Sequence, residues 1–298
     1  MAAQTEAVQE IIDTRIRRNL LQRTWRIWKT KPLGIVGAIL VFLLLAMAAT
    51  APIITFHDRF ATSAADQLAS PGWEHLLGAD RYGRDLWARI AYGAQISLYV
   101  GFTVALGAGS IAGMIGVTSA FFGGKIDLVG QRIVDIFQAF PGLILAMAIV
   151  AVLGFGIEKA IIAIAIPALP RMIRVVRSQA LSVVKTDYVL AGRTIGAGNI
   201  RLIFRYIMPN SMAPWIIVVT GQLGGAILTE SSLSFLGLGV PEPHPSWGAM
   251  LSMNAADYAE IAPWLVIFPG LFLALAVFGF NIFGDALRDV LDPRLRGR

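Results

Sequence analysis

The sequence predicts an all-α protein that crosses a membrane six times, and two observations support this fold class. First, 56% of the 298 residues are hydrophobic and only 15% are charged, with a mean hydropathy of +0.67. That composition is too apolar for an ordinary soluble domain of this size. Second, long uncharged stretches alternate with short polar ones along the chain. The first of them, Leu33–Thr55, is long enough as a helix to cross the roughly 30 Å hydrocarbon core of a bilayer.

The apolar stretches differ in regularity. We expect spans at Leu33–Thr55, Ile90–Gly124, Ile136–Ile157, Ala160–Pro170, Ala213–Leu233 and Pro263–Gly284. The second holds Gly109 and Gly113 at a spacing that favours close helix packing, so it should be buried. Pro141 should kink the third span, because proline interrupts helical hydrogen bonding. The fourth contains Pro167 and Pro170 and runs into three arginines, so it should lie inside the bundle with its arginines directed outward.

The distribution of charge predicts the orientation of the spans. The chain has a net charge of +6, and its basic residues cluster beside the apolar stretches. Cytoplasmic segments of membrane proteins carry an excess of Lys and Arg. We therefore expect residues 1–32, 185–212 and 285–298 to be cytoplasmic, and we expect the membrane rather than nucleic acid to be the partner of this basic chain.

Several kinds of chemistry are not expected from this sequence. Because the chain has no cysteine, it can form neither disulfides nor cysteine metal sites. The histidines His57, His75 and His244 are not spaced as ligands of a helical metal site. Gly124-Lys125 lacks the flanking residues of a phosphate-binding loop, so no ATP site is expected. We predict a protein that is not an enzyme and holds no metal or cofactor of its own.

Residues 185–212 interrupt the apolar pattern with two short predicted helices. Tyr188, Ala191 and Ile195 recur at helical spacing on one face of the first. The run Gly196-Ala197-Gly198 should end it, because glycine adopts left-handed conformations without steric cost. On this pattern alone, a solvated cytoplasmic connector between two spans explains the segment.

Asp187 and Asn199 are the candidate N-caps of these two helices, because their side-chain oxygens can accept the free amide hydrogens of a first turn. Pro209 and Pro214 should close the unit, since proline cannot continue a helix without losing a hydrogen bond. The expected apolar face of the second helix is formed by Ile200, Ile203, Phe204 and Ile207.

The spacing inside this segment resembles a motif of ABC-importer permeases. Ala191-Gly192, Gly196 and Ile207-Met208-Pro209 match a family loop that reads E-A-A-x3-G and ends in I-x-L-P or I-L-P. Leu190 stands where the family has Glu, and Leu cannot form the capping box that Glu could form there. Further strings resemble the oligopeptide/dipeptide-type permeases: GADRYGRDL, FFGGKIDLVGQRIVDI, FPGLILAMAIVAVLG, GGAILTESSLSFLGLG, PSWGAML, APWLVIFPG and FNIFGDALRDVLDPRLR.

This resemblance implies a type I ABC importer permease fold in a bacterial inner membrane. Residues 71–298 would be its transmembrane domain, and residues 1–70 would hold a cytoplasmic segment, the first helix and the start of an extracytoplasmic loop. The implied partners are a second permease, two ATPases that bind ATP and magnesium, and an extracytoplasmic binding protein. The expected substrates are di- and oligopeptides, with nickel or another small solute as the alternative and a non-ABC carrier or scaffold as a remote one.

The resemblance also implies that the 185–212 segment docks on a cytoplasmic ATPase and couples it to the membrane helices. The coupling residues would be Asp187, Tyr188, Ala191, Gly192, Arg193, Gly196, Ala197, Arg205 and Pro209.

Glu230 is the only acidic residue within the fifth predicted span. A carboxylate at that depth is costly unless it faces water, a cation or hydrogen-bond donors. It could hydrogen-bond Ser231, Ser232 or a neighbouring amide near the end of the helix. It could instead line the translocation path or the interface with the second permease. In that case Gln222, about two helical turns away, would face the same space.

Overall fold

The computed structural model describes residues 32–291, with the side chains of 32–252 and 257–290. Over this range the protein is helical, and its only β pairing is a bridge between Ala79 and Asp85, so the all-α class is confirmed. The predicted segment before residue 32 and the last residues of the predicted tail lie outside this range. The helices are α1 (Pro32–Ile54), α2 (Leu86–Phe122), α3 (Gly124–Gln138), α4 (Gly142–Leu153), α5 (Ile157–Val184), α6 (Asp187–Thr194), α7 (the consecutive pieces Asn199–Arg201, Leu202–Ile207 and Met208–Asn210), α8 (Met212–Phe235), α9 (Trp247–Tyr258) and α10 (Trp264–Leu291).

Within residues 32–291, four helices are long and apolar enough to cross a membrane: α1, α2, α8 and α10. Helices α3 and α4 add a fifth crossing if the bent pair is counted as one span. Helix α5 has 28 residues, but Arg171, Arg174 and Arg177 make it too polar to be counted among the four membrane-crossing helices. The predicted helices are therefore present in the predicted order, and the count of six crossings stays a prediction.

The third predicted span is broken rather than kinked. Helix α3 ends at Gln138, α4 begins at Gly142, and the two are bent by 89°. Pro141 has φ −57° and ψ 127°, a conformation outside the helical region, and its nitrogen carries no hydrogen to donate. The expectation of one continuous helix is wrong, because the proline separates two helices.

Helix α2 is long and largely buried, as predicted. Its 37 residues extend about 55 Å, and it packs mainly against α5 and α8. A methyl group on Gly109 would lie 2.4 Å from the Val219 side chain of α8. A methyl group on Gly116 would lie 2.9 Å from the Ile173 carbonyl oxygen of α5. Glycine therefore permits the close approach of both helices.

Helix α5 lies inside the bundle despite its two prolines. It is continuous from Ile157 to Val184 and packs against α2, α4 and α8. Pro170 is buried, and Arg171 and Arg174 are exposed as predicted. The expectation for the third arginine is wrong, because Arg177 is half-buried against Asp127 of α3.

Helix α9 was not expected from the sequence. Its first residue, Trp247, is buried, and the indole Nε1 donates a hydrogen bond to the Ile90 carbonyl of α2 at 3.1 Å. Helix α9 also packs against α8 and α10, while α10 covers α1 and α8. Helix α9 therefore lies near the start of α2, away from the end of α2 that the 185–212 segment contacts.

Candidate functional site

The 185–212 segment forms two short helices, α6 and α7, that pack on the adjacent ends of α2 and α5. Burying an aliphatic side chain stabilises a fold by about 1.5–3 kcal/mol relative to exposure. The segment is therefore fixed to the bundle by a shared apolar cluster. Its buried members are Val117, Ala120 and Phe121 of α2, Val176, Ala180 and Val183 of α5, Val189 of α6, and Leu202, Ile203 and Ile207 of α7.

Neither predicted N-cap is formed. Asp187 is the first residue of α6, and Thr186 occupies the cap position in an extended conformation. The Thr186 hydroxyl donates to the Val183 carbonyl at 2.6 Å instead of capping α6. Gly198 occupies the cap position of α7, where Asn199 is already helical. Both predictions of capping are wrong by one position, because each helix begins at the residue that was expected to precede it.

Two glycines in this segment have different roles. Gly192 is buried, and a methyl group there would lie 2.9 Å from the Leu202 side chain, so its small size lets α7 approach α6. Gly196 has φ +78°, and a methyl group there would meet nothing within 4 Å. Glycine is needed at position 196 for its positive φ angle, and not because a side chain there would clash.

Helix α7 is wound as a π-helix over Leu202–Ile207. A π-helix bonds each residue to the one five positions away, which brings Leu202 and Ile207 onto the same side. Both are buried in the apolar cluster. The predicted α-helical face is half correct: Ile203 and Ile207 are buried, whereas Ile200 and Phe204 are 76% and 50% exposed.

An apolar and basic surface remains exposed after the inner faces of α6 and α7 are buried. Large apolar patches on a protein surface mark binding sites. The predicted face of α6, formed by Tyr188, Ala191 and Ile195, is exposed. We call this the α6–α7 surface; it consists of Tyr188, Leu190, Ala191, Ile195, Ile200 and Phe204, with Arg193, Arg201 and Arg205 among them.

Two arginine–aspartate pairs join α3 to α5 beside the apolar cluster. The Arg177 Nε donates to Asp127 Oδ1 at 2.6 Å, and its Nη2 donates to Oδ2. The Ser119 hydroxyl of α2 donates to the same carboxylate. Three residues earlier on α5, Arg174 donates to Asp135. These contacts connect α2, α3 and α5 at the end that carries α6.

Glu230 is fully enclosed, with 0% of its surface exposed. The carboxylate faces no open space in this conformation, because hydroxyl groups surround it, and its role in a translocation path or permease interface stays a prediction. The predicted bond from Ser231 is present, but Ser232 donates to the Leu228 carbonyl instead. Four hydroxyls, from α2, α8 and the residue before α9, donate to Glu230: Ser234 at 2.7 Å, Ser246 at 3.0 Å, Ser97 at 3.3 Å and Ser231 at 3.4 Å.

A groove of about 300 Å³ is lined in part by Leu228, Ser231 and Ser232, the sequence neighbours of Glu230 on α8. Neither Glu230 nor Gln222 lines this groove, and Gln222 is half-buried. A role of Gln222 in the path stays a prediction. The groove is lined by Leu143 of α4, Leu228, Ser231, Ser232 and Phe235 of α8, Leu236, Leu251 of α9 and Leu273 of α10.

The segment between α1 and α2 contains a buried ionic network. Arg84 Nε donates to Asp80 at 2.7 Å, and Arg84 Nη1 donates to Glu242 at 2.8 Å. Burial alone would lower the pKa of Arg84, but the hydrogen bond to Glu242 and the charge of Asp80 raise it above its ordinary value. Sequence reasoning missed Glu242, because it lies 158 positions after Arg84 and no local spacing links them.

Comparison with known proteins decides the family. Residues 105–297 match the model of the binding-protein-dependent transport system inner membrane component, and residues 19–71 match the N-terminal transmembrane domain of oligopeptide transport permease C. The chain belongs to this permease family. A putative peptide transport system permease protein of Brucella suis is 41% identical over 280 residues, which cover 94% of this chain and 91% of that protein. The dipeptide transport system permease protein DppC of Alkalihalophilus pseudofirmus is 42% identical over 268 residues, which cover 90% and 88%.

The permease fold also matches a solved structure. The inward-facing MetNI methionine ABC transporter contains a chain that aligns with a TM-score of 0.55 over 70% of this chain and 97% of its own length. The two are 18% identical, so this likeness concerns the fold alone. The predicted type I ABC importer permease fold is confirmed.

The predicted coupling residues differ in how far they are exposed. Gly192 is buried and Ala197 half-buried, so these two support the packing of α6 on α7. The Arg193 guanidinium lies over the Phe121 ring of α2, 4.8 Å from its centroid, although the residue is largely exposed. The others are available to a partner because their surfaces are exposed: Asp187, Tyr188, Ala191, Gly196, Arg205 and Pro209.

Proposed function

We propose that this permease is a subunit of an ATP-driven importer for di- and oligopeptides in a bacterial inner membrane. The observation that carries the proposal is the α6–α7 surface, which is apolar and exposed yet rigidly attached to α2 and α5. A self-sufficient carrier or a scaffold has no need of such a surface beside its membrane helices.

The partner on the α6–α7 surface is a cytoplasmic ATPase, one of two that bind ATP and magnesium. Exposed apolar side chains such as Ile195 and Ile200 supply contact area, and Arg201 and Arg205 favour an acidic rim on the partner. On this proposal, residues 185–212 are cytoplasmic, and residues 71–298 form the transmembrane domain that responds to them.

A second, related permease completes the translocation path. The groove that contains Ser231 and Ser232 is open on one side and is otherwise lined by leucine and phenylalanine. Such a surface can face peptide side chains and backbone without charge selection. An extracytoplasmic binding protein delivers the substrate to the end that carries residues 55–85.

The names of the relatives support peptides as the substrate class. The Brucella suis protein is described as a peptide transport permease, and the Alkalihalophilus pseudofirmus protein as a dipeptide transport permease. Both align over about nine tenths of this chain.

Uptake by the isolated complex tests this function. The complex is purified from its own cells through a tag on this chain, reconstituted into liposomes with ATP on the cytoplasmic side, and supplied with its binding protein. We expect co-purification of two ATPase copies and ATP-dependent uptake of radiolabelled dialanine or trialanine. Uptake of ⁶³Ni²⁺ but of neither peptide would contradict the substrate class. Uptake by this chain alone, without ATP, would contradict the importer itself.

A further inference from the structure

Three side chains of metal-binding type meet at the end of the bundle opposite the 185–212 segment. His57 follows α1, His75 lies between α1 and α2, and Asp85 immediately precedes α2. One donor atom from each lies within 4.8 Å of the other two. We propose that these three residues bind a divalent transition-metal ion, and that zinc suits them best.

The distances within this triad fit a zinc ion. His75 Nδ1 lies 2.8 Å from Asp85 Oδ2, and His57 Nδ1 lies 3.6 Å from the same oxygen. Nitrogen and oxygen ligands bind zinc at about 2.0–2.2 Å, which places the donor atoms of a tetrahedral site roughly 3.3–3.6 Å apart. The separation of 3.6 Å lies at the upper end of that range and the separation of 2.8 Å lies below it, so a small shift of His75 completes the site.

The Asp85 carboxylate is already oriented toward the histidines. Its Oδ1 accepts a hydrogen bond from the Ala88 amide at 2.7 Å, as the N-cap of α2. That bond leaves Oδ2 for the two imidazole rings. Metal ligands are commonly held in this way by hydrogen bonds on their outer side, which reduces the entropy lost when the ion binds.

The triad also has a neighbouring carboxylate behind His75 and a route from solvent to His57. His75 Nε2 lies 3.9 Å from Asp66 Oδ2, so a carboxylate stands on the side of the ring that would face away from the ion. Ligating histidines often donate their second ring N–H to such a group. The His57 side chain is 45% exposed, which gives the ion a route from solvent and leaves the fourth position open to water.

The hydrogen bond between His75 and Asp85 has a structural explanation that needs no ion. His57 is the residue that this explanation does not cover. Its Nδ1 lies 3.6 Å from the same carboxylate oxygen, which is too long for a hydrogen bond. The two imidazole rings lie 4.9 Å apart between centroids, tilted by 35°. A shared cation accounts for two ring nitrogens that converge on one oxygen.

The composition of the chain makes this proposal easy to test. The protein has no cysteine and only three histidines, of which His244 is the one outside the triad. The full chain is purified in detergent with a histidine-free tag and dialysed against buffered micromolar Zn²⁺, and bound metal is counted by mass spectrometry. We expect about one zinc ion per chain, and a cobalt(II) complex with the visible absorption of a tetrahedral nitrogen/oxygen site.

His57→Gln is the decisive variant, because His57 is exposed and its replacement leaves the buried His75–Asp85 pair intact. We expect zinc affinity to fall at least about tenfold, since even outer contacts of metal sites contribute about 10–100-fold. His244→Gln is the matched control and should bind zinc as the natural chain does. Absence of bound zinc in the natural chain, or equal affinity in His57→Gln and His244→Gln, would overturn the proposal.

Discussion

The Arg177 guanidinium of α5 donates two hydrogen bonds to the Asp127 carboxylate of α3, one from Nε to Oδ1 at 2.6 Å and one from Nη2 to Oδ2. Helix α3 has one fully buried residue, Val134, so apolar burial contributes little to its attachment. This charge-assisted pair is therefore a principal link between α3 and the helix that leads into α6.

Breaking this pair should lower thermal stability. Arg177→Gln should cost about 1–2 kcal/mol, because it removes hydrogen bonds to a charged group that is partly shielded from water. Arg177→Lys should retain only part of the stability that Arg177→Gln loses, since lysine cannot form the bidentate contact. Thermal unfolding in detergent measures both.

Arg132→Gln is the matched control for this comparison. Arg132 is 74% exposed and lies 3.6 Å from Asp135, so its removal should cost no more than about 0–1 kcal/mol. Equal melting temperatures for Arg132→Gln and Arg177→Gln would show that the Arg177 pair does not hold α3.

Glu230→Gln should preserve assembly, whereas Glu230→Leu should not. Serine hydroxyls can rotate to donate to or accept from an amide, so the glutamine keeps several partners. Leucine would leave four buried hydroxyls without their acceptor, at about 1–3 kcal/mol for each one left unpaired. The yield of monodisperse protein in detergent tests this, with Ser232→Ala as the control. A well-assembled Glu230→Leu variant would show that the carboxylate is not needed for packing.

Gly116→Leu should separate α2 from α5, because even a methyl group would come within 2.9 Å of the Ile173 carbonyl oxygen. Overpacking of this kind costs about 1–3 kcal/mol. Gly107→Leu is the control on the same helix, since nothing lies within 4 Å of its added carbon. The two melting temperatures should differ by several degrees, and a Gly116→Leu variant as stable as Gly107→Leu would contradict the close packing.

Ala191→Asp should stop ATP-driven uptake while leaving the protein folded. Ala191 is exposed, so the added carboxylate stays hydrated in the free subunit and is buried only when a partner covers the α6–α7 surface. Ala191→Ser is the control of similar size without charge. Normal uptake in Ala191→Asp, measured in liposomes, would show that the surface is a solvated connector.

Gly196→Pro should impair the same step for another reason. The Gly196 amide donates to the Arg193 carbonyl at 3.0 Å, and its φ of +78° is inaccessible to proline. The turn between α6 and α7 must therefore change shape. Retention of uptake with an unchanged protease-digestion pattern would contradict this dependence on the turn.

Single cysteines in this cysteine-free chain should reveal its orientation. Ser70 and Ser182 are exposed residues from opposite ends of the bundle. Ser70→Cys should react with a membrane-impermeant maleimide in intact spheroplasts, and Ser182→Cys only after the membrane is opened. Labelling of both from the same side would contradict the predicted topology.

Local composition was sufficient to predict the long helices. The length and apolar character of Leu33–Thr55 and Ile90–Gly124 leave few alternatives in a membrane, and the structure places α1 and α2 there. The break at Pro141 was underestimated, because the same proline can kink a helix or end it, depending on what its neighbours pack against. The cap positions are occupied by Thr186 and Gly198, one residue before the predicted Asp187 and Asn199.

The environment of Glu230 could not be predicted from sequence. The nearby Ser231 was visible as a partner, but Ser97 lies 133 positions away and reaches the carboxylate only when α2 packs on α8. The contact of His57 and His75 with Asp85 is equally unpredictable from sequence. Their spacing resembles no metal motif, and only the folded segment after α1 brings them to Asp85.

The uninterrupted length of α5 has a mechanical consequence. Its 28 residues form a rod of about 42 Å that ends at Val184, and two residues separate it from α6. A tilt of about 5° around one end of such a rod moves the other end by about 4 Å, roughly the height of three residues in a helix. On the proposed coupling role of the 185–212 segment, α5 would act as a lever that converts a small displacement of α6 into a larger one at its other end.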